Sequence, residues 1–583
     1  EQFLGYWGYG GRAELEEKLH SSLQKSQETC LESMQIYPIW NVAYIGESSG
    51  QFIHFQTSHP NQIAAISASG LFTSPDAWVK VPSNNSLILG REPFGRAPLY
   101  WMQQGQVIWF ASRLQLLLPI IPHPQINIPG FYGYSCFSYV PTPLTPVNQV
   151  FAVPAGTEMI WEVESDSVIL PTATSQRLLE WRQASEQLKD EPAAITQLQT
   201  LLQEAIGRQI ADLKDEPVGV LLSGGLDSSV VAALLVQAGV KVRAYTLDFG
   251  ENGIPEYPYA EKVAEYLGIP LVKVEASPRR IQKALIPTVQ ALDLPFGDGV
   301  TVPLYLLTQA ASQETQVIFN GEGGDQLFAG WTNKPLIAAG VYQTEHPAGQ
   351  ETFIQHYLRT FHRLWGYEAQ VFQPEVYTQI QNIQPQDWLL EALDPTFSTS
   401  ILHRLRRATL MLKGAQNIHP RATNIGLAHG VKVRSLFCDL ALAEWTFGLS
   451  GELCLQGATE KYILKKAVEN LLPTEIVWRQ KRGMGVPLTS WCLNNFWYKL
   501  GDWLNPGILQ SENLIKPDLA AQIVFGELGA GIVGRRIGEI LWLLIIWQLW
   551  CREVLGKNSG KYSCNHPFLL PRWLARSYKR WQD

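Results

Sequence analysis

From residue 217 to residue 320, apolar segments of strand length alternate with segments whose apolar residues recur at helical spacing. The predicted strands are VGVLLS, KVRAYTLDF, PLVKVEA and QVIFN, and the predicted helices between them include SSVVAALLVQAG, YAEKVAEYLG and RRIQKALIPTVQAL. Such alternation predicts a parallel sheet covered by helices on both faces. Ligands of these sheets bind at the carboxyl ends of the strands, where Ser223 and Gly321 both fall.

The first 170 residues follow a different pattern, in which short apolar segments alternate with turn residues. This pattern predicts an α+β structure with many antiparallel strands. A polar stretch at 171–192 is predicted to connect it to the next domain, and beyond residue 340 the sequence is mainly helical. We therefore divide the chain into an N-terminal domain (1–180), an α/β domain with a helical C-terminal extension (190–555) and a basic, aromatic tail (556–583).

The composition of the 583-residue chain excludes several classes of function. A formal charge of −7 argues against binding to nucleic acid, which needs a basic surface. Seven cysteines without a CxxC pair indicate reduced thiols in a cytoplasmic protein rather than disulfides or a zinc site. The most apolar run, 540–550, has eleven residues, whereas a membrane span needs about twenty, so we expect a buried helix and no membrane insertion. The first residues, EQFLGYWGYGGR, do not have the pattern of a signal peptide.

The loop Ser223-Gly224-Gly225-Leu226-Asp227-Ser228-Ser229 joins a predicted strand to a predicted helix. Its glycines let the backbone approach a phosphate that a Cβ atom would repel, and the hydroxyls of Ser223 and Ser228 can donate to that phosphate. A helix N-terminus adds to the attraction. The loop therefore predicts an ATP-phosphate site, with Asp227 available to hold Mg²⁺.

A second glycine-containing loop, FNGEGGDQLFAGW (319–331), also follows a predicted strand. Asp325 can pair with Asp227 to bind Mg²⁺ on a pyrophosphate group, because hard cations prefer oxygen ligands. Glu322 is a candidate general base near a substrate amine. The two loops together predict a site that uses ATP to activate a substrate.

Three segments, SGGLDSS, LDLPFGD (292–298) and NGEGGDQLFAGW, occur in this order and at suitable spacing. They are similar to the synthetase domain of the asparagine synthetase superfamily, whose nucleotide loop is called the PP-loop. The resemblance continues in VKVRSLFCDLAL (431–442), ATEKYILKKAVENLLP (458–473) and RQKRGMGVP (479–487). Residues 91–101, 108–118 and 137–157 resemble the family's N-terminal amidotransferase-type domain. The resemblance implies an α/β chain with an N-terminal αββα Ntn-hydrolase-like sandwich and a PP-loop parallel-sheet synthetase domain.

The resemblance also assigns roles to particular residues. Backbone atoms of Leu222 and Leu247 would contact adenosine, with Gly321 closing the pocket. The phosphates would be bound by Ser223, Gly224, Gly225, Asp227 and Ser228. Asp227 and Asp325 would hold Mg²⁺, and Lys461 would stabilise charge that develops on pyrophosphate and on the acyl transition state.

The N-terminal domain departs from the family where glutamine is hydrolysed. Glutamine-dependent members need a cysteine at mature position 1, which corresponds to Glu1 here, and a carboxylate cannot replace that thiol as nucleophile. The family's Asn-Gly-Glu-type glutamine-binding segment has no counterpart between residues 55 and 85, and the RD of its RDxxG turn is Arg91-Glu92. We therefore expect a glutaminase fold that has lost its chemistry, so that an amine within the substrate supplies the nitrogen.

Two branches of the family resemble this arrangement: β-lactam-type synthetases and lasso peptide cyclases. The β-lactam-forming relatives have tyrosine where this chain has Glu322, which favours the second branch. The resemblance then implies a ligase that adenylates a side-chain carboxylate of a precursor peptide and closes a macrolactam with its N-terminal amine, releasing AMP and pyrophosphate. By resemblance, the partners include a leader-peptide-binding protein and a leader protease.

Two other hypotheses stay open beside the β-lactam branch. Asparagine synthesis from free ammonia predicts AMP formation that depends on aspartate and ammonium. A scaffold without catalysis requires a decayed ATP site, yet the residues expected to carry the chemistry are all present: Ser223, Asp227, Glu322, Asp325 and Lys461.

Overall fold

The structure is a computed structural model of the chain. It describes residues 3–8, 14–15, 17–19, 21–22, 34–39, 42–47 and 62–66. From residue 75 to residue 579 it describes all residues except 84–85, 164–169, 171, 214, 251–252, 254, 331–349, 482, 529–534 and 558–559. Glu1 therefore lies outside the described residues.

Two antiparallel sheets form the described part of the N-terminal domain. The first has the order β2-β3-β1-β8-β7-β9, and the second has the order β11-β10-β6-β5-β4. The strands are β1 Phe3–Gly8, β2 Met34–Ile39, β3 Val42–Glu47, β4 Gln62–Ile66, β5 Ala77–Ser83, β6 Ser86–Arg91, β7 Tyr100–Gln104, β8 Val107–Ala111, β9 Val150–Ala152, β10 Thr157–Glu162 and β11 Thr174–Arg177. The antiparallel architecture expected from the sequence is confirmed.

The two sheets stack on a shared apolar core. Phe3 and Phe110 of the first sheet and Leu87, Leu89 and Trp161 of the second belong to one cluster of buried residues. Every residue of β1 and β8 is buried, because Ile108 and Phe110 face this cluster while Val107, Trp109 and Ala111 pack in the other apolar cluster of the chain. Short helices at Leu114–Leu117 and Ile128–Phe137 follow β8.

The stretch expected to be only a connection, 171–192, contributes a strand to the second sheet. β11 pairs in antiparallel fashion with β10 between Thr157 and Ile160. Its residues Thr174 to Gln176 are exposed, because an edge strand needs no apolar face. That expectation was therefore wrong for 174–177, since hydrophobic periodicity gives no signal for such a strand.

The second domain is built on a five-stranded sheet with the order β14-β13-β12-β15-β16, all of whose strand pairs are parallel. The strands are β12 Val218–Leu221, β13 Val242–Asp248, β14 Leu271–Glu275, β15 Val317–Asn320 and β16 Lys432–Ser435. The helices between the first four strands are Leu226–Gln237, Tyr257–Leu267, Pro278–Ala291 and Thr301–Ser312. The parallel sheet predicted from the alternation is confirmed. β16 was not expected, because its sequence KVRS carries two cations and no apolar run.

Outside the sheet, the rest of this domain and the segment that follows it are mainly helical, as expected. The α-helices are Glu191–Ile210 ahead of β12, and then Gly324–Phe328, Gln350–Phe361, Glu368–Val371, Pro374–Ile380, Asp387–Leu390, Ile401–Thr409, His419–Ala428, Leu440–Phe447, Gly451–Cys454, Tyr462–Val468, Thr474–Val477, Leu488–Ser490, Trp497–Trp503, Pro506–Glu512, Leu519–Phe525, Arg535–Glu553 and Arg572–Lys579. Two π-helical segments, Leu410–Ile418 and Trp491–Asn495, interrupt this series. A hairpin of β17 Leu455–Gln456 and β18 Thr459–Glu460 precedes Lys461.

The helix Arg535–Glu553 contains the most apolar run of the chain, and every residue from Ile540 to Trp550 is buried. Trp542 and Trp550 donate hydrogen bonds from Nε1 to the carbonyl oxygens of Asp298 (3.2 Å) and Asp293 (2.9 Å). The expected buried helix is therefore present, and its tryptophans hold both ends of the segment 293–298 through these hydrogen bonds. None of the helices in the described ranges has the length and apolarity that crossing a bilayer requires.

The last described segment packs against the rest of the chain. Trp497 donates a hydrogen bond to the carbonyl oxygen of Leu570 (2.8 Å) and stacks edge-on against Phe568 at 5.0 Å. Trp573 nevertheless remains 76% exposed. The region expected to be a basic, aromatic tail thus includes a docked segment.

Candidate active site

The first predicted loop connects the carboxyl end of β12 to the helix that begins at Leu226. Inside the loop, Ser223 Oγ and Ser228 Oγ lie 3.2 Å apart, and Ser228 Oγ accepts a hydrogen bond from the Ser223 amide (3.2 Å). The Gly225 amide donates to Ser223 Oγ at 3.3 Å. These contacts hold both hydroxyls at the start of the helix, where backbone amides and the helix dipole favour an anion.

Gly224 has a φ of +66°, and a Cβ atom there would lie 2.5 Å from backbone atoms of Tyr259 and Ala260. We expect Gly224→Ala to lower the free energy of unfolding by more than the roughly 1–2 kcal/mol that a left-handed alanine costs, because the clash adds to the strain. ATP affinity should also fall, since the loop must shift. Denaturant unfolding and calorimetric titration with ATP measure the two effects.

The matched control is Gly239→Ala, because Gly239 also has a positive φ (+78°) but no atom lies within 4 Å of the added Cβ. This variant should show the strain alone and bind ATP normally. Equal losses of stability and of ATP affinity in both variants would contradict a role for the close approach at Gly224.

The second predicted loop follows β15, which pairs directly with β12 in the sheet. A Cβ atom at Gly321 would lie 2.7 Å from the Ser228 amide, and one at Gly324 would lie 2.5 Å from the Asp227 carboxylate. The two loops therefore touch through their glycines. The short helix Gly324–Phe328 places Asp325 in its first turn.

Asp227, Asp325 and Lys461 form a cluster between the two loops, in which Asp227 and Lys461 are buried and Asp325 is partly exposed. Lys461 Nζ lies 2.5 Å from Asp227 Oδ2 and 2.5 Å from Asp325 Oδ1, so one ammonium joins both carboxylates. Lys481 Nζ contacts Asp325 Oδ2 from the other side at 2.9 Å. Lys461 is 2% exposed and has a φ of +55°, which is uncommon for a residue other than glycine.

The charges of this cluster determine its protonation. Burial alone would raise the pKa of Asp325, but the ammonium groups of Lys461 and Lys481 outweigh it and hold that pKa well below its usual range. Burial disfavours the charged form of Lys481, yet Asp325 and Asp227 raise its pKa. Both groups are therefore charged at neutral pH.

The two aspartates also fit a divalent cation. Asp227 Oδ1 is buried and has no hydrogen-bond partner in the described part of the chain, and Asp325 Oδ1 contacts only the Lys461 ammonium there. Carboxylate oxygens are the ligands that Mg²⁺ prefers, and the ion usually completes its coordination with phosphate oxygens and water. The donor set is thus suitable for Mg²⁺ beside a bound polyphosphate.

A cavity of about 210 Å³ opens between the two loops. All of the predicted site residues line this site cavity except Gly224, which packs on Tyr259, and Lys461, which lies beneath the carboxylates. One wall is apolar and contains Leu222 and Leu247, together with residues that the sequence did not single out: Leu304, Leu307 and Ile425. The cavity therefore joins an apolar wall to a phosphate-binding loop, as a nucleotide requires.

Glu322 lies at the wall of the site cavity next to the aspartate cluster. Its amide donates to Asn320 Oδ1 at 3.1 Å, and its carbonyl oxygen accepts a hydrogen bond from Ser435 Oγ. The side chain contacts Arg421 Nη2 through Oε1 at 3.5 Å. Burial raises the pKa of Glu322, and Arg421 opposes that effect only partly.

Four charged residues in or beside the site cavity were not predicted from the sequence, and two of them, Glu256 and Lys481, line the cavity. Lys481 lies in the quoted segment 479–487, and Asp298 ends the quoted segment LDLPFGD. Arg421 binds Asp298 Oδ2 through Nη1 at 2.7 Å, and no local pattern marked it. The motif segments could have indicated Lys481 and Asp298, because a charged residue inside such a segment is a candidate ligand of the substrate.

The turn that begins with Arg91-Glu92 is occupied by its own hydrogen bonds. The Arg91 guanidinium donates to the carbonyl oxygens of Ala97 (2.7 Å) and Gly95 (2.8 Å). The Glu92 carboxylate accepts from the amides of Phe94 (2.8 Å) and Arg96 (2.6 Å). Both side chains are buried. They therefore stabilise the turn itself.

Comparison with known proteins gives two family matches. Residues 197–552 match the family described as asparagine synthase, and residues 77–170 match the glutamine amidotransferase domain. Asparagine synthetase (glutamine-hydrolyzing) 1 of Bacillus subtilis is 23% identical over 518 residues, which cover 84% of this chain and 79% of that protein. A putative asparagine synthetase of Mycobacterium bovis is 24% identical over 496 residues, which cover 80% of this chain and 74% of that protein. Among solved structures, the NH₃-dependent NAD synthetase of Campylobacter jejuni is 15% identical over 35% of this chain and 96% of its own, with a TM-score of 0.19.

Proposed function

This chain belongs to the asparagine synthase family and is thus an ATP-dependent amide-forming ligase, and we propose that its substrate is a peptide. In this proposal the enzyme adenylates a side-chain carboxylate of a precursor peptide and joins it to the peptide's N-terminal amine. The product is a macrolactam, and the activity is that of a lasso peptide cyclase. A leader-peptide-binding protein and a leader protease are its proposed partners, and the cytoplasm is its proposed location.

The observation that carries the adenylation step is the cluster in which Lys461 Nζ lies 2.5 Å from both Asp227 and Asp325. Asp227 and Asp325 would hold Mg²⁺, which neutralises phosphate charge when bound. The carboxylate oxygen of the substrate attacks the α-phosphorus, and pyrophosphate leaves. Lys461 and Lys481 stabilise the negative charge on the departing group from fixed positions, which costs no reorganisation during the reaction.

The second step joins an amine to the acyl-adenylate. The amine attacks the activated carbonyl carbon, AMP leaves with its bonding electrons, and Glu322 accepts the proton that the nitrogen loses. An amine held about 3 Å from the carbonyl reacts in an effectively unimolecular step. Glu322 lines the site cavity beside Asp325, which supports this assignment.

Two observations support an amine from the substrate rather than from glutamine. The Glu92 carboxylate is bound by the backbone amides of Phe94 and Arg96, and no glutamine-binding segment of the Asn-Gly-Glu type occurs between residues 55 and 85. Glu322 in place of the tyrosine of β-lactam-forming relatives favours the macrolactam over a small ring.

Asparagine synthesis from ammonia is the second candidate, and the similarity to a Bacillus subtilis asparagine synthetase over 79% of that protein favours it. The two candidates give different products. Mass spectrometry of candidate precursor peptides incubated with enzyme and Mg·ATP should show the loss of one water per peptide, with one AMP formed per ring. Asparagine formed from aspartate and ammonium, without any peptide product, would refute the cyclase proposal.

The variant Asp227→Asn serves to distinguish ring closure by the enzyme from ring closure that occurs without adenylation at this site. Asp227→Asn keeps the shape of the side chain but removes the charge that faces Lys461, so we expect neither AMP nor ring formation above background. A dehydrated peptide formed equally well by Asp227→Asn would show that the ring closes without adenylation at this site.

A further inference from the structure

Arg421 is a buried guanidinium that contacts Glu322 but belongs to none of the motifs. It lies near the start of the helix His419–Ala428 and is 2% exposed. Its Nη1 donates to Asp298 Oδ2 at 2.7 Å and to Asn417 Oδ1 at 3.1 Å, and its Nη2 contacts Glu322 Oε1 at 3.5 Å. One guanidinium therefore joins two carboxylates that come from different segments.

Asp298 fixes this arrangement, because its own side chain is held by the start of the next helix. Asp298 Oδ1 accepts hydrogen bonds from the Val300 amide (3.2 Å), the Thr301 amide (3.0 Å) and Thr301 Oγ1 (2.6 Å). The indole of Trp542 holds the Asp298 carbonyl oxygen. Burial opposes the ionised form of Asp298, but Arg421, the Thr301 hydroxyl, Lys413 and Asn417 together outweigh burial and lower the pKa of Asp298. The Arg421 guanidinium is thus already bound by two carboxylates of the chain, Asp298 and Glu322.

The contact with Arg421 leaves half of the Glu322 carboxylate available. Oε1 faces the guanidinium, whereas Oε2 has no hydrogen-bond partner among the residues that the structure describes. Because Glu322 lines the site cavity, a carboxylate fixed through Oε1 presents Oε2 as the proton acceptor. The Glu322 backbone is fixed independently by Asn320 and Ser435, so only the side chain needs this further contact.

We propose that Arg421, anchored by Asp298, is a positioning residue that orients Glu322 for proton transfer from the attacking amine. The inference rests on the proposed role of Glu322 in the second step. It concerns amide formation only, because the adenylation step depends on the separate cluster of Asp227, Asp325 and Lys461. A loss of Arg421 should therefore affect the two half-reactions unequally.

The charges around Glu322 define the expected pH dependence. Arg421, Lys481 and Lys413 face it as cations, Asp325 faces it as an anion, and the Cys438 thiol lies nearby. Burial raises the pKa of Glu322 and Arg421 lowers it, so removal of Arg421 raises that pKa further. Glu322 accepts a proton only when it is ionised. The acidic limb of the pH–rate profile must therefore move to higher pH.

The test is Arg421→Gln in the full chain, with ATP–pyrophosphate exchange and ring formation measured separately on the same precursor peptide. We expect exchange to persist while the rate of ring formation falls about 100-fold, as a misplaced catalytic group predicts, and the acidic limb to move to higher pH. Arg421→Lys keeps a cation at the site and should restore part of both effects. Equal loss of both half-reactions, or an unchanged pH profile, would overturn the proposal.

Two further variants make the result specific. Arg113→Gln breaks another buried arginine–aspartate pair, with Asp293 at 2.9 Å, and should reduce stability without moving the pH profile. Burial raises the pKa of Glu256, which lines the same cavity, to about 7, so the shift caused by Arg421→Gln must persist in a Glu256→Gln background. A shift that disappears in that background would refute the proposal.

The same data separate this inference from the proposed function. If the wild-type enzyme shows no peptide-dependent exchange, the peptide proposal fails, and the Arg421 variants are then measured with aspartate and ammonium. If the wild-type enzyme cyclises the peptide but Arg421→Gln does so with an unchanged pH profile, only the positioning role fails.

Discussion

Replacing Lys461 with methionine is expected to slow AMP formation by about 10²–10³-fold, because a fixed charge at the transition state typically contributes that much. The ammonium lies 2.5 Å from both aspartates. Methionine fills a similar volume without the charge, so the substitution tests electrostatics rather than packing. Single-turnover measurement of AMP release from ATP and the carboxylate substrate gives the rate directly.

The same variant should also change how stability depends on pH. Lys461 and Lys481 lower the pKa of Asp325 against the opposing effect of burial, so ionised Asp325 stabilises the fold at neutral pH and this contribution is lost as acid protonates it. Lys461→Met raises that pKa. The deficit in unfolding free energy should therefore be largest at neutral pH and shrink on acidification, which thermal unfolding at several pH values would show.

Lys466→Met is the control, since Lys466 lies on the helix Tyr462–Val468 that follows Lys461, is 26% exposed and pairs with Glu469. It should leave AMP release and its pH dependence close to those of the wild type. If Lys461→Met retains full adenylation activity, the cluster of Asp227, Asp325 and Lys461 is not the adenylation site.

Local sequence patterns predicted the two glycine loops of this site, because each loop is a single contiguous segment. Each glycine loop follows an apolar strand, so the sequence could place Asp227 and Asp325 at the carboxyl edge of one sheet. The pairing of β12 with β15, which brings the loops into contact, is a crossover that no local pattern encodes. Lys461 lies 234 positions from Asp227, and only the family resemblance indicated it.

The features that were missed share a physical cause. β11 and β16 are short edge strands with polar sequences, so their position in the sheet depends on neighbours rather than on hydrophobic periodicity. Arg421 is buried, and a buried arginine is stable only where tertiary structure supplies its partners. Asp298 is 123 positions away. Neither the strands nor the ion pair could be recognised without the folded chain.

Replacing Glu322 with glutamine is expected to slow amide formation by about 10²–10⁴-fold, the usual contribution of a general base, while ATP–pyrophosphate exchange continues. The amide oxygen can still accept the contact from Arg421, so geometry is largely conserved and only the basic function is lost. The structure supports this separation, since the cluster of Asp227, Asp325 and Lys461, to which we assign adenylation, forms without the Glu322 side chain. Accumulated acyl-adenylate should be detectable by rapid quenching.

The pH profile shows which carboxylate acts. Because burial raises the pKa of Glu322, ring formation by the wild type should decline on acidification at a higher pH than an exposed glutamate would cause, and this limb should be absent in Glu322→Gln. Glu256 has a pKa of about 7 through burial in the same cavity and is the competing candidate. If Glu256→Gln removes the acidic limb while Glu322→Gln keeps it, the base is Glu256, and Arg421 orients a residue that takes no proton.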